Sequence, residues 1–166
     1  VRRRLGDIIN CRVGKARALP VEDATVDYAV SGLVLNFVAE PDKALAEMKR
    51  VVAPGGTVAI YVWDYSGKMD LLNKFWDTAV TLDPKAVPLQ ERHRFPEFTV
   101  DKLRDLFDRA GYADVESAAI DIEMNFRNFD DYWLPFLGGQ GPAPTYVMSL
   151  SESDRQLLRD RLMGSL

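Results

Sequence analysis

ALPVEDATVDYAVSGLVLNFVAEPDKALAEMKRVVAPGGTVAIYVWDY, residues 18–65, reads as strand, helix and strand joined by tight connections. The polar turn Pro20–Thr25 leads into Val26–Ser31 (VDYAVS), short and rich in strand-forming residues. From Asp42 to Val52 the apolar residues Ala44, Leu45, Met48, Val51 and Val52 recur at helical spacing. Pro41 stands at the N-terminal edge of that helix, where its missing N–H costs nothing, and Glu40 and Asp42 lie near the positive end of the helix dipole. Pro54-Gly55-Gly56 is expected to stop the helix and turn the chain. Thr57–Trp63 (TVAIYVW) carries no charge over a full strand length, the pattern of a strand buried on both faces. Two such strands flanking one helix are the grammar of a parallel crossover in an α/β sheet.

Outward from this unit the signals continue. Upstream, Ile8–Val13 followed by Gly14 predicts another strand. Downstream, a helix is expected from about Met69 to Val80, then a polar, proline-containing stretch to Phe98. Thr99 is suited to cap a further helix whose apolar face is Leu103, Leu106, Phe107 and Ala110, and Gly111 supplies its stop. Val115, Ala118, Ile120, Ile122, Met124 and Phe126 predict a long strand over 115–126. Phe129–Leu137 is aromatic-rich. Gly138–Pro144 reads as a flexible loop in which Pro142 and Pro144 block an immediate helix start, and Ser151 opens a last helix carrying Leu157, Leu158 and Leu162. There is no internal repeat and no low-complexity segment.

With 166 residues, 47% apolar and 28% charged, the chain has the composition of one globular domain. No apolar run approaches the roughly 18 residues of a membrane span and no signal-peptide pattern opens the sequence, so no membrane role and a cytoplasmic location are expected. The net charge of −4 gives no global electrostatic reason to bind nucleic acid, and Arg2-Arg3-Arg4 is too short to form a patch. Cys11 is the single cysteine, which excludes an intrachain disulfide and a thiolate zinc cluster. No group of residues argues for a metal.

Leu19-Pro20-Val21, Val26-Asp27, Pro41-Asp42 and Arg50-Val51-Val52-Ala53-Pro54-Gly55-Gly56, in that order, resemble the recurring pattern of the small-molecule S-adenosylmethionine-dependent methyltransferases of class I, of the methyltransferase type 11 kind. The resemblance is close over roughly 50 residues. It implies a Rossmann-like α/β fold, here partial: strands 3 to 6 of the family's seven with flanking helices. The family's Gly-rich turn and the carboxylate that holds the cofactor ribose have no counterpart in the sequence. The resemblance therefore implies that residues 1–166 are the C-terminal portion of a single methyltransferase domain, with core strands and helices over 5–65 and substrate-side helices over 66–166. Such a domain would be longer by roughly 70 to 100 residues, and this chain by itself is expected to bind the cofactor weakly. Exposed sheet edges are expected too, because only two of the strands keep their usual neighbour.

The implied function is methyl transfer from S-adenosylmethionine to a small molecule. The loop Gly14–Arg17 corresponds to the family's adenine edge, where an acidic side chain often takes the exocyclic amine. Lys15 stands at that position and offers only donors, so the implied contact is the backbone of Ala16 beside it. Ser31, Gly32 and Leu33 correspond to the strand end that meets the methionine part of the cofactor, and Gly32 would allow close approach. Asn36 lies where relatives often carry a histidine, and could orient a substrate. Asp64 and Tyr65 follow the second core strand at its C-terminal end, where α/β sites form; Asp64 reads either as a substrate-orienting group or as a loop cap. Trp133 is grouped with Phe126, Phe129, Tyr132 and Phe136, which could line a substrate pocket or simply pack a core. No catalytic residue is assigned, because a methyl transfer driven by positioning needs no dedicated acid or base. His93, in the charged stretch Glu91–Arg94, and Cys11, within an expected strand, read as solvated and as apolar filler. Gly138-Gly139-Gln140-Gly141 lacks the Lys-Ser/Thr ending of a phosphate loop. The alternative function is a non-catalytic module that forms a homo-oligomer through its open sheet edges.

Overall fold

A computed structural model describes residues 9–95 and 98–165. They divide into two compact units, the described residues up to Trp63 with Arg104–Val115, and those from Asp64 to Leu103 with those from Glu116 onward. Among the described residues no helix is long and apolar enough to cross a membrane.

The first unit is built on the expected strand, helix and strand. β1 (Val26–Gly32) is followed by α1 (Pro41–Val51) and β2 (Val52–Tyr61), and the two strands pair in parallel from Tyr28↔Thr57 to Gly32↔Tyr61. The helix ends earlier than Pro54 demands: Val52 is already extended, and Pro54–Gly56 lie inside β2, where Gly55 (φ 82°) accompanies an irregularity in the ladder between Val26 and Tyr28. A proline is tolerated there because it sits at that irregularity, before the regular ladder begins at Tyr28↔Thr57. Ala44, Leu45, Met48 and Val51 form the buried stripe of α1. One face of the sheet (Ala29, Ser31, Val58, Ile60) is half-buried, while Tyr28, Val30, Thr57, Ala59 and Tyr61 on the other face are exposed. A parallel sheet is normally covered on both faces; this one is covered on one.

A further helix, α4 (Val100–Arg109), runs from one unit into the other and closes as anticipated at Gly111, φ 73°. Gly111 N–H donates to the Asp108 carbonyl and Tyr112 N–H to the Phe107 carbonyl, a Schellman closure. Lys49 from α1 donates to the Ala110 and Gly111 carbonyls at 3.0 and 2.6 Å, placing a cation on the negative helix end, and the Tyr112 hydroxyl donates to the Leu45 carbonyl at 2.7 Å.

The second unit is helical. It holds α2 (Asp70–Leu82), the short α3 (Glu91–Arg94), α5 (Phe129–Trp133), α6 (Pro142–Ser149) and α7 (Glu152–Met163). Its core is aromatic: Phe75 stacks on Phe136 at 4.5 Å between ring centres and meets Trp76 edge-on at 5.0 Å. Tyr132 is buried with its hydroxyl donating to the Leu71 carbonyl at 3.0 Å, which satisfies the polar end of a large apolar body. α6 starts at Pro142, contrary to the expectation that Pro142 and Pro144 block a helix. Both prolines stand in the first turn, where the missing N–H groups have no intrahelical partner to lose. Ser151 caps α7 through its hydroxyl, which accepts from Asp154 N–H.

Two of the four expected strands form no ladder among the described residues. Residues 9–14 form no strand, with Val13 fully exposed, and a single antiparallel bridge, Lys15↔Ala18, follows them; Ile8 lies outside the described residues. Residues 115–126 carry no strand, helix or turn. Alternation makes a segment ready to pair, but a strand exists only when a neighbour takes its backbone groups. The observed sheet is therefore a two-stranded parallel pair.

Candidate functional site

In the first unit the C-terminal end of β1 has an unusual backbone. Leu33 follows Gly32 with φ 53°, a left-handed conformation that costs a branched residue about 1 kcal/mol or more. It is fixed by the Leu33 N–H, which donates to the Tyr61 carbonyl at 2.8 Å. Gly32 has a structural use at this point: a Cβ there would collide with the phenol of Tyr61, its cross-strand partner. The close approach that Gly32 permits is thus made by Tyr61.

The loop that carries Lys15 and Ala16 forms, with Arg17, Val38, Ala39 and Glu40, an open hollow of about 380 Å³. Ser31, Gly32 and Leu33 are not among its walls. Glu40 accepts hydrogen bonds from Arg17 and from Lys43, and these hold its carboxyl below the usual carboxylate range, so it stays ionised. The loop is anchored from behind by α1. Arg50 donates to both Glu47 oxygens at 2.8 Å, to the Val21 carbonyl at 3.0 Å, to the Leu19 carbonyl at 3.2 Å and to Asp23. Glu47 also accepts from Leu19 N–H at 2.9 Å, and the Arg50 bonds, with this one, bring its pKa down to about 2.

Asn36 is buried, but its amide is fully used. It donates to the Trp63 carbonyl at 3.0 Å and accepts from Trp63 N–H at 2.9 Å, imitating a backbone pair at the end of β2. This bracket accounts for a buried amide without a substrate.

In the second unit, Asp64 accepts from Ser66 N–H at 3.2 Å and Gly67 N–H at 2.8 Å, the loop-capping arrangement. Tyr65 stacks against Phe95 at 5.2 Å; burial, with Glu91 adding its charge, pushes the phenol pKa up. Trp133 is 4% exposed and packs in the core, yet one edge lines a small hollow of about 180 Å³ with Leu137, Glu152, Arg155, Gln156 and Arg159. His93 is exposed as expected. The stretch around it is not uniformly solvated, however: Gln90 and Glu91 are 2% and 4% exposed. Glu91 accepts from the Trp76 indole N–H and from Ala143 N–H at the start of α6; burial nonetheless dominates and raises its pKa. Arg17, Glu40, Glu47, Arg50 and Glu91 were not singled out from the sequence as site residues. The Glu47–Arg50 spacing of three on one helix face was a readable signal, whereas the burial of Glu91 was not.

Residues 1–60 match the family described as Methyltransferase domain. Methyltransferase ucsB of an Acremonium species is 24% identical over 147 residues, 88% of this chain and 48% of that protein. The demethylmenaquinone methyltransferase of Shouchella clausii is 31% identical over 121 residues, 61% of this chain and 48% of that protein. The malonyl-[acyl-carrier protein] O-methyltransferase of Geobacter sulfurreducens is 32% identical over 104 residues, 63% of this chain and 38% of that protein. The chain thus spans about half or less of the length of these curated relatives. The resemblance to the class I methyltransferases, first carried by Leu19–Gly56, is borne out by these matches.

Proposed function

We propose that this chain takes part in methyl transfer from S-adenosylmethionine to a small molecule, with its first unit forming part of the cofactor site. The observation that carries the reading is the strained Gly32–Leu33 turn at the C-terminal end of β1. In open α/β sheets ligands bind at that end of the parallel strands, and strained backbone concentrates at functional sites. The methyltransferase relatives support the same reading.

The hollow beside Lys15 suits an adenine-sized group: its volume of about 380 Å³ lies in the range of ligand pockets, and its walls combine Ala16, Val38 and Ala39 with one carboxylate and the Lys15 and Arg17 cations. Ala16 offers a backbone donor for a ring nitrogen. Glu40, held ionised by Arg17 and Lys43, supplies the acceptor for the exocyclic amine that Lys15 cannot provide. Ser31 to Leu33 would run along the methionine portion, with Tyr61 setting how near a ligand comes to Gly32. Arg50 and Glu47 act as positioning residues, since they fix the Leu19–Asp23 turn next to the adenine loop. When bound, the cofactor supplies an activated methyl group on its sulfonium sulfur. The protein's share is orientation, which can supply several kcal/mol without a dedicated base. Within the second unit Tyr65 and Trp133 are the substrate-side candidates, and only the Trp133 indole edge lines a hollow with the Arg155 and Arg159 side chains, while Asn36 and Asp64 each serve the backbone of their own unit. The relatives are named for acceptors as different as demethylmenaquinone and malonyl-[acyl-carrier protein], which supports methyl transfer without selecting an acceptor.

Amide-resolved NMR titration with S-adenosylhomocysteine tests the reading. An open hollow leaves much of a ligand in water, so the expected dissociation constant is on the order of 1 mM, with shifts clustered at Ala16, Leu33 and Val38–Glu40. Glu40→Ala should weaken it about tenfold, and Glu40→Gln, which keeps an acceptor, by much less. Shifts confined to other residues, or none at about 10 mM ligand, would overturn it.

A further inference from the structure

Trp133 is 4% exposed, yet among the described residues its indole N–H has no acceptor, whereas the Trp76 indole donates to Glu91 and the Tyr132 hydroxyl to Leu71. No fully buried side-chain nitrogen or oxygen of the described residues lacks a partner. The Trp133 N–H therefore lies on the small accessible edge of its ring, the edge that lines the hollow of about 180 Å³ between α5 and α7. A second donor on that wall is Arg155. The C-terminal end of α6 holds its guanidinium in place: Nε donates to the Val147 carbonyl and Nη2 to the Leu150 carbonyl, both at 3.2 Å. Nη1 is left uncommitted, and Arg155 has no ion pair among the described residues. Arg159 differs, because Asp130 at 3.2 Å and Asp160 at 3.7 Å balance its charge. One small hollow thus joins an unused N–H on a buried ring, a fixed and unbalanced cation, and the apolar surfaces of Leu137 and the indole. A few placed polar groups in an apolar wall are the composition of a small-molecule site.

We propose that this hollow binds the carboxylate of a small monoanionic molecule, with the Trp133 indole N–H donating to one oxygen and Arg155 supplying the countercharge. A guanidinium matches a carboxylate in shape as well as in charge. The hollow has the volume of about six waters, which seats a carboxylate on a short hydrocarbon stem against Leu137 and the indole. Glu152, exposed on the same wall and without an ion pair among the described residues, limits the charge. It repels a second negative charge, so a monocarboxylate is taken and a dianion refused. All of these residues belong to the second unit. The inference rests on the substrate-side reading of Trp133 for the role of the bound group, which it names; the binding itself does not depend on the cofactor site.

Titration of the chain with sodium butyrate, followed at the assigned indole N–H resonances by NMR, tests it. The Trp133 resonance should move while that of Trp76, already bonded to Glu91, stays in place, with a dissociation constant on the order of 10 mM. Arg155→Gln should weaken butyrate about tenfold, and Arg155→Lys, which keeps the charge without the fork, by less. Sodium sulfate should leave the Trp133 resonance of the unaltered chain unmoved at matched ionic strength. Glu152→Gln, a change at an exposed position, should keep butyrate bound and admit sulfate. No Trp133 response up to about 100 mM butyrate overturns the proposal. So does sulfate binding as well as butyrate in the unaltered chain, or a butyrate affinity that ignores both Arg155 substitutions. S-adenosylhomocysteine is titrated into a separate sample: loss of its shifts at Ala16 and Leu33 beside an intact Trp133 response sinks the cofactor reading alone, and the converse sinks the carboxylate site alone.

Discussion

Charge placement at single residues sets two opposite pH responses. Glu91 is buried with its pKa raised from 4.5, chiefly by burial, while Trp76, Ala143 and Arg94 oppose the shift without overcoming it. A carboxyl with a raised folded-state pKa contributes stability that is fully present below 4.5 and is lost as pH rises through the elevated value. Urea unfolding from about pH 4 to about pH 8 should therefore show a decline in stability that is absent in Glu91→Gln, which still accepts from the indole. Glu47 behaves the other way. Its pKa is brought from 4.5 to about 2 by Arg50 and Leu19 N–H, so its contribution is present above 4.5 and lost as pH falls through about 2. Protection of the Leu19 amide should persist at mildly acidic pH and disappear near pH 2 or in Glu47→Ala, read by hydrogen exchange. Asn36 illustrates the limit of reading a residue by its position in a pattern. The sequence marks it as substrate-facing; the fold spends both ends of its amide on Trp63.

At the scale of elements, endings are determined locally and strands are not. Gly111 was readable as the stop of α4 because the closing residue must adopt positive φ, and the helix ends there with both Schellman bonds. Gly111→Ala should cost about 1–2 kcal/mol in thermal or urea unfolding, since φ is 73° and a Cβ would sit 3.0 Å from Lys49 Nζ. Helices α1, α2 and α7 were legible for a related reason: their apolar stripes, and for α7 the Ser151 cap, lie within one short stretch of sequence. Pro142 was misread because a proline breaks a helix interior but suits a first turn, and position decides which. The alternation of 115–126 predicted a strand that does not form there. What it could not supply was the neighbouring backbone that turns propensity into a ladder.

For the molecule as a whole, burial is uneven. The aromatic core of the second unit is closed, whereas the sheet of the first shows a bare face. Two substitutions measure this contrast. Leu45→Ala, at a fully buried site on α1, should cost about 2–5 kcal/mol, while Val30→Thr, 68% exposed on the bare face, should change stability by less than about 0.5 kcal/mol, both by urea unfolding. Sequence alone determined the β1–α1–β2 unit, the Ser151 cap, the Gly111 stop and the resemblance to methyltransferases, because periodicity, turn chemistry and motif order are properties of neighbouring residues. Only the tertiary structure decided that Glu40 shares a hollow with Ala16, that Tyr61 fills the space beside Gly32, that Glu91 is buried, and that two strand-like segments stay outside the described sheet. Each of these depends on which distant groups arrive beside a residue, and the free energy of a charge, a cavity or an unpaired backbone is set by that company.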